Sequence, residues 1–354
     1  MRRIWRWLRR LAFLVLALLL LLLAPVGYVE LACRGTALAD AHAPILPPAF
    51  RREESRTYTT YPEWHIVHAY DDYARVIATG DPHDFGFLGA IRGFWGGLCP
   101  LARRAGEHGG FSLESKATIY TIGVSFTAEM ALKAAYEETL GRIATWIRGP
   151  HRAALDDLSA RQAAEYARFL QQTPWYRWDF AADAAALEAA ATGSFRDRER
   201  AFALGLEFGA KAAYARIIAA AVAAAGQDQL EMRSVVTGMD TRALEAIGQV
   251  TVIGERPEGI EIETPRYRIF THIAGAIAAA GGSFVEIAGN DDILLTAISA
   301  APDLPGALPG ALVSLPRQGY GDWRHLVAVK VPQLAATLRA LAAAGVRIEH
   351  IHDY

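Results

Sequence analysis

His65, His68 and Asp72 lie in one short segment, Tyr61-Pro62-Glu63-Trp64-His65-Ile66-Val67-His68-Ala69-Tyr70-Asp71-Asp72-Tyr73. On a helix the spacing i, i+3, i+7 puts the two imidazoles and the carboxylate on one face. That is the ligand set of a non-haem iron site, and it suits zinc as well. A metal-dependent enzyme using these three is therefore one reading. The apolar stripe Ile66, Tyr70, Tyr73 and Ile77 points elsewhere, so the same face, its histidines solvated or hydrogen-bonded, needs no metal. A ligand site between domains is the third possibility.

A second constellation is a repeat. Glu129-Met130-Ala131-Leu132-Lys133-Ala134-Ala135-Tyr136 matches Glu207-Phe208-Gly209-Ala210-Lys211-Ala212-Ala213-Tyr214 in spacing and mostly in type. The chain has four lysines against 32 arginines, and two of the four sit here. Glu at i with Lys at i+4 is the favourable helical order, contributing ~0.2–0.5 kcal/mol at an exposed site. The plain reading is two solvated ion pairs. The sharper one is a pseudo-symmetric helix pair in which Glu129, Lys133, Glu207 and Lys211 meet across an interface, with Lys211 partnered by Glu129.

Trp175, Tyr176 and Trp178 form an aromatic cluster after a helix-ending proline, suited to a lipid boundary, a partner surface or packing against a neighbouring domain. His350 and His352 share a strand face at the C-terminus. No Walker loop, dinucleotide fingerprint, G-x-S-x-G elbow or H-E-x-x-H occurs. The catalytic residues are unassigned and no cofactor is expected, iron or zinc at His65, His68 and Asp72 being the exception.

The elements that position these groups begin with an anchor. Met1–Arg10 is basic and aromatic, and Leu11–Val29 then runs without a charge. Nineteen residues at ~1.5 Å each make a helix of about 29 Å, matching a hydrocarbon core of about 30 Å. Five arginines precede this span, so the positive-inside rule puts the N-terminus in the cytoplasm and the bulk of the chain on the outer face. A single-pass inner-membrane protein facing the periplasm is expected, its lipid partner held through residues 11–29. Ala37-Leu38-Ala39 resembles a signal-peptidase site, and Leu31-Ala32-Cys33 faintly resembles a lipoprotein site. However, the apolar run exceeds a signal peptide's ~7–15 residues.

Residues 30–56 hold three prolines and a charged run and read as a linker. Residues 57–226 are Ala-rich and helical, with helices near 60–79, 85–98, 113–147, 155–171, 182–191 and 197–225. Thr60, followed by Pro62 and Glu63, suits the first helix start. Residues 201–225 contain Glu207, Lys211 and Arg216, each costing ~2.5–3.5 kcal/mol at a bilayer centre, so one membrane span is the better count.

After Gly226 strands dominate: 248–254, 259–264, 283–288, 293–299, 325–331 and 346–352, with helices at 272–280 and 332–344. The strands 283–288 and 293–299 are joined across Gly289-Asn290-Asp291, good tight-turn chemistry. Ala278-Ala279-Ala280-Gly281 echoes Ala342-Ala343-Ala344-Gly345, which suggests two related βαβ units in a ferredoxin-like sandwich over residues 227–354. The fold class expected is α+β: anchor, helical domain, ferredoxin-like domain.

Thr60–Tyr73 and Phe284–Thr296 together resemble a family of bacterial proteins with one N-terminal membrane helix. The resemblance implies this architecture and no activity.

Composition closes several doors. Net charge is −2, but residues 1–31 carry five Arg and one Glu, leaving the body acidic. That gives no support for nucleic-acid binding. Two cysteines, Cys33 and Cys99, exclude a disulfide-stapled scaffold and a zinc site of several thiolates. The leading expectation is a membrane-anchored, non-enzymatic protein whose outward domains bind a protein partner or a small ligand.

Overall fold

The structure is a computed structural model describing residues 2–36, 38, 42–225, 230–306 and 308–354. Ala37 and Ala39 of the signal-peptidase-like stretch lie outside the described residues, as does Gly226, where the chain changes texture. The architecture is mixed helix and sheet and, among the described residues, one helix, at the N-terminus, is long and apolar enough to cross a membrane.

That helix, α1 (Arg2–Ala32), extends beyond the charge-free run at both ends. Its middle is bare, with Leu14 and Leu21 exposed. Its last turn is not: Val29 and Cys33 are buried among the helices that follow.

Those helices are α2 (Arg56–Ile77), α3 (Phe87–Gly106), α4 (Leu113–Tyr136), α5 (Arg142–Arg148), α6 (Ala154–Leu170), α7 (Phe180–Ala190) and α8 (Phe195–Ala225). A π turn, Glu137–Gly141, carries α4 into α5 without a break. Helix α2 begins a turn before Thr60, after Ser55, and takes Pro62 inside. Ser112 caps α4 by accepting from Ser115 N at 3.2 Å, the usual use of a serine before a helix. Glycine sets one crossing. A Cβ on Gly123 would stand 2.5 Å from the Phe94 ring, so α3 and α4 approach closely only because none is there.

Beyond residue 230 the chain forms β1 (Glu231–Thr237), α9 (Thr241–Glu245), β2 (Thr251–Arg256), β3 (Gly259–Pro265), α10 (Arg268–Ala279), β4 (Ser283–Ile287), β5 (Asp292–Ser299), β6 (Val313–Pro316), β7 (Trp323–Lys330), α11 (Val331–Ala343) and β8 (Arg347–His352). These make two four-stranded antiparallel sheets, ordered β2-β3-β1-β4 and β6-β7-β5-β8. In both, the second strand of the unit is at one edge, the fourth at the other, and the first lies between the third and fourth. The turn at Gly289-Asn290-Asp291 is therefore not a hairpin. It passes the chain from one sheet to the other, joining β4 to β5. Strands β1 and β6 were not read from the sequence.

Gly281 and Gly345 follow α10 and α11 at φ +91° and +71°. Glycine takes this left-handed cap without strain, so the echoed Ala-Ala-Ala-Gly marks the same helix-to-strand corner twice. One apolar core serves both sheets: Val236, Ile262, Phe270, Phe284, Leu295, Val327, Leu338 and Ile351 belong to it. Each such buried side chain contributes ~1.5–3 kcal/mol.

Strand β5 is buried on both faces. Ile293, Leu295 and Ala297 face the shared core, while Leu294 packs with Tyr58 and Tyr61 of α2. Helix α2 is thus the wedge between the helical and sheet parts. Residues 42–55 are a strap rather than a free linker. The Ile45 and Leu46 amides donate to the Glu286 carboxylate at 2.6 and 2.8 Å, and Leu46 is fully buried.

Candidate functional site

Because α2 is sandwiched, its polar face is buried. His65, His68 and Asp72 are 6%, 6% and 5% exposed, so they do not face water. Nor do they converge. His65 Nε2 donates to the Ala90 carbonyl of α3 at 2.9 Å. That fixes the proton on Nε2 and leaves Nδ1 to accept from Tyr61 Oη at 3.3 Å. His68 turns the other way, its Nε2 3.4 Å from Glu349 of β8. Asp72 accepts from the Gln318 amide at 3.0 Å. Helical spacing put the three on one face, but neighbours on both sides divided them.

The sheet side of this seam is set by register. His352 pairs with Leu294 and His350 with Thr296, so both imidazoles share the α2-facing side of the sheet with Leu294. Between Thr296 and Ala297 the register shifts, leaving Glu349 as a bulged extra residue. Bulges re-aim side chains in this way. Glu349 meets Arg324 in a two-pronged pair at 2.5 and 2.8 Å. Trp64 stacks on His350 with ring centroids 3.5 Å apart, and Tyr61 meets His352 edge-on at 5.6 Å. Arg317, from the β6–β7 connection, lies 3.2 Å from Asp71 and 3.8 Å from Asp72.

Electrostatics follow from burial. Burial disfavours the imidazolium and lowers His65 to about 4 and His352 to about 3. His68 and His350 are also lowered, by burial first, then by Arg324 beside His68 and by His352 beside His350. Asp72 is raised to about 6 by burial. Glu349 stays charged because Arg324 outweighs its burial. Four neutral imidazoles thus sit beside one tightly held ion pair. Four of their nitrogens, on His68, His350 and His352, are buried without a hydrogen-bond partner among the described residues.

Among the described residues, one group of His and acidic ligand atoms lies close enough together for a shared ion. It is Asp81, His83 and Asp84 at a surface turn. Asp81 already pairs with Arg148 at 2.6 Å.

The four repeat residues do come together. Lys211 Nζ lies 2.9 Å from Glu129 and 2.8 Å from Glu207. Lys133 lies 2.9 Å from Glu207 and 3.9 Å from Glu129. Tyr70 of α2 closes the group: its hydroxyl donates to Glu129 at 2.6 Å and accepts from Lys211 at 3.0 Å. Side-chain exposure runs from 14% for the lysines to 29% for Glu129, so the cluster is shielded without being sealed. Burial opposes every charge here, yet the carboxylates hold Lys211 well above lysine's usual range. The lysines bring Glu207 down to about 2.

Beside it is a cavity of about 40 Å³ lined by Tyr70, Tyr73, Gln162, Tyr166, Trp178 and Lys211, among others. It has room for two or three waters. Gln162 Oε1 is buried at its wall without a hydrogen-bond partner among the described residues.

The aromatic cluster packs within the helical part, not against the sheets. Trp178 meets Tyr166 and Phe169 at 5.5 and 5.0 Å, and Trp175 meets Tyr214 of α8 at 5.2 Å.

Two features escaped sequence reasoning. Cys33 and Cys99 form a disulfide across 66 residues of sequence, joining the end of α1 to α3. The signal was present, since an even cysteine count on a chain expected to be exported reads as oxidised. A buried arginine chain was also missed: Arg148, Asp156, Arg196, Glu199, Arg200 and Glu137 link α5, α6, α8 and the π turn. Comparisons with protein-family models, curated proteins and solved structures find no match.

Proposed function

We propose that the protein is a membrane-anchored, non-enzymatic binding protein. Helix α1 stays in the inner membrane with its N-terminus in the cytoplasm, and the helical and sheet parts work on the periplasmic side. There they bind a protein partner or a small ligand. One observation carries the reading: α1 is stitched into the fold. Cys33 is bonded to Cys99, and Val29 is buried with it. A removable leader has no reason to contribute to a core, and a disulfide suits an oxidising compartment.

Each sheet with its connections reads as a ferredoxin-like unit, the two forming a tandem pair in which an irregular stretch replaces the first helix of the second unit. The small-ligand reading rests on the cavity at Gln162, which offers an unused acceptor among aromatic walls. No observation favours the metal-dependent enzyme, because His65, His68 and Asp72 turn to different partners.

Reporter fusions after residue 56 and at the C-terminus test the topology. Both are expected to score as exported, and the protein to stay in the membrane through an alkaline wash. A cytoplasmic C-terminus, or release by the wash, overturns the reading.

A further inference from the structure

At one end of the helical part, polarity is turned inside out. Glu129 and Lys133 of α4 face Glu207 and Lys211 of α8, and Arg196 and Arg200 are 2% and 1% exposed. The opposite faces expose Leu132, Leu140, Ile143, Trp146, Phe202 and Leu206, with Trp146 at 82%, Leu132 at 73% and Phe202 at 71%. A helix against water places its stripes the other way round, and an apolar patch of this kind marks an interaction surface.

The direction of the helices says where this patch lies. Tyr28 touches Cys99, the Ala32 carbonyl accepts from Arg103, and the Leu38 amide donates to Gly106. The numbers climb together, so α3 runs parallel to the chain leaving α1. Helix α4 returns antiparallel to α3, with Trp95 donating to Thr127. It starts beside the end of α1, where Lys116 pairs with Glu30 at 2.8 Å. Helix α4 and its continuation α5 therefore travel from the anchor's exit point back toward the bilayer. Helix α8 is antiparallel to α4, with Glu207 at Lys133 and Arg200 at Glu137. Its first half is at the same end. The six residues of the patch lie at that end.

We propose that this face beds into the outer leaflet of the same bilayer that α1 crosses, at the boundary between acyl chains and headgroups. The proposal rests on α1 being an uncleaved anchor. Lipid is the occupant because α1 is packed against α3 and α4 at its exit, and the helix directions carry the patch toward the bilayer that α1 crosses. An exposed tryptophan suits that boundary. So does an apolar helix face lying in its plane. The protein is then held by a span and by a flank, which fixes its orientation over the membrane.

The test uses the full chain in lipid nanodiscs, with the native disulfide kept. Single nitroxide labels go at Leu19→Cys, Ile143→Cys, Leu206→Cys and Glu258→Cys, with Trp146→Cys standing in if either middle variant does not accumulate. Collision with oxygen, which partitions into lipid, is compared with collision with a water-soluble nickel chelate. Expected is an oxygen-to-nickel ratio at positions 143 and 206 several-fold above that at position 258 and approaching that at position 19. A high ratio at position 19 with water-like ratios at 143 and 206 overturns the proposal and leaves the anchor standing. Shielding of 143 and 206 from both reagents also overturns it, because protein then covers the face. A water-like ratio at position 19 removes the anchor and the proposal together.

Discussion

Lys211→Met removes one charge from the four-residue cluster while keeping side-chain length and helix propensity. In the native protein two lysines face two glutamates, so the cluster is neutral. Lys211 serves both carboxylates, at 2.9 and 2.8 Å. Without it Glu129 keeps Lys133 only at 3.9 Å, plus the Tyr70 hydroxyl. Stranding a buried charge costs ~3–5 kcal/mol, and an exposed pair is worth ~0–1 kcal/mol. Partial shielding places the expected loss at about 3 kcal/mol, toward the buried limit. The two carboxylates then differ in rescue. Adding Glu129→Gln leaves the Lys133–Glu207 pair at 2.9 Å intact and recovers most of the loss. Adding Glu207→Gln leaves only the 3.9 Å pair and recovers less. Urea unfolding of the full chain in mild detergent, followed by tryptophan fluorescence, measures all three. A Lys211→Met loss below about 1 kcal/mol means that the cluster is solvated and the reasoning fails. Equal rescue by both glutamines refutes the assigned geometry.

Three further outcomes are expected. Acid should loosen the α2 seam: His65 and His352 titrate in the folded protein near 4 and 3 against 6.5 unfolded, so their contribution is lost as pH falls below 6.5 toward those values. Asp72, raised to about 6, works in the opposite sense, and His108, raised to about 10, changes little below 6.5. Four lowered imidazoles outweigh one carboxyl, so the melting temperature should drop between pH 7 and pH 4.5, and a flat profile would contradict the buried seam. Cys99→Ala should cost about 4 kcal/mol by loop entropy over 66 residues, read as a shift in urea midpoint. Gly123→Ala should cost about 1–3 kcal/mol by forcing α3 and α4 apart, and an unchanged midpoint would show that the crossing is looser than described.

The helices were legible because they are long and carry strong breaks such as Gly149-Pro150. Each observed helix of the 57–226 region overlaps one read from the spacing. The strand region was legible in its parts but not its pairing. The turn Gly289-Asn290-Asp291 carries hairpin chemistry, yet the two strands it joins enter different sheets, a choice made by the shared core. On α2, periodicity assigned a face but not its neighbours. A polar stripe on a helix covered on both sides looks the same in sequence as one facing water. The Lys–Glu repeat was visible because lysine is scarce in this chain. The buried arginines were not, because arginine is everywhere in it.

The central claim is that α1 is a permanent part of an exported fold. The most direct measurement is the intact mass of the protein taken from isolated membranes after alkylation without reductant. The account predicts a chain that still contains α1, lighter by a pair of hydrogens than its sequence requires and carrying no alkyl group, because Cys33 and Cys99 are bonded. A chain that begins after Ala39, or one alkylated at both cysteines, would contradict it.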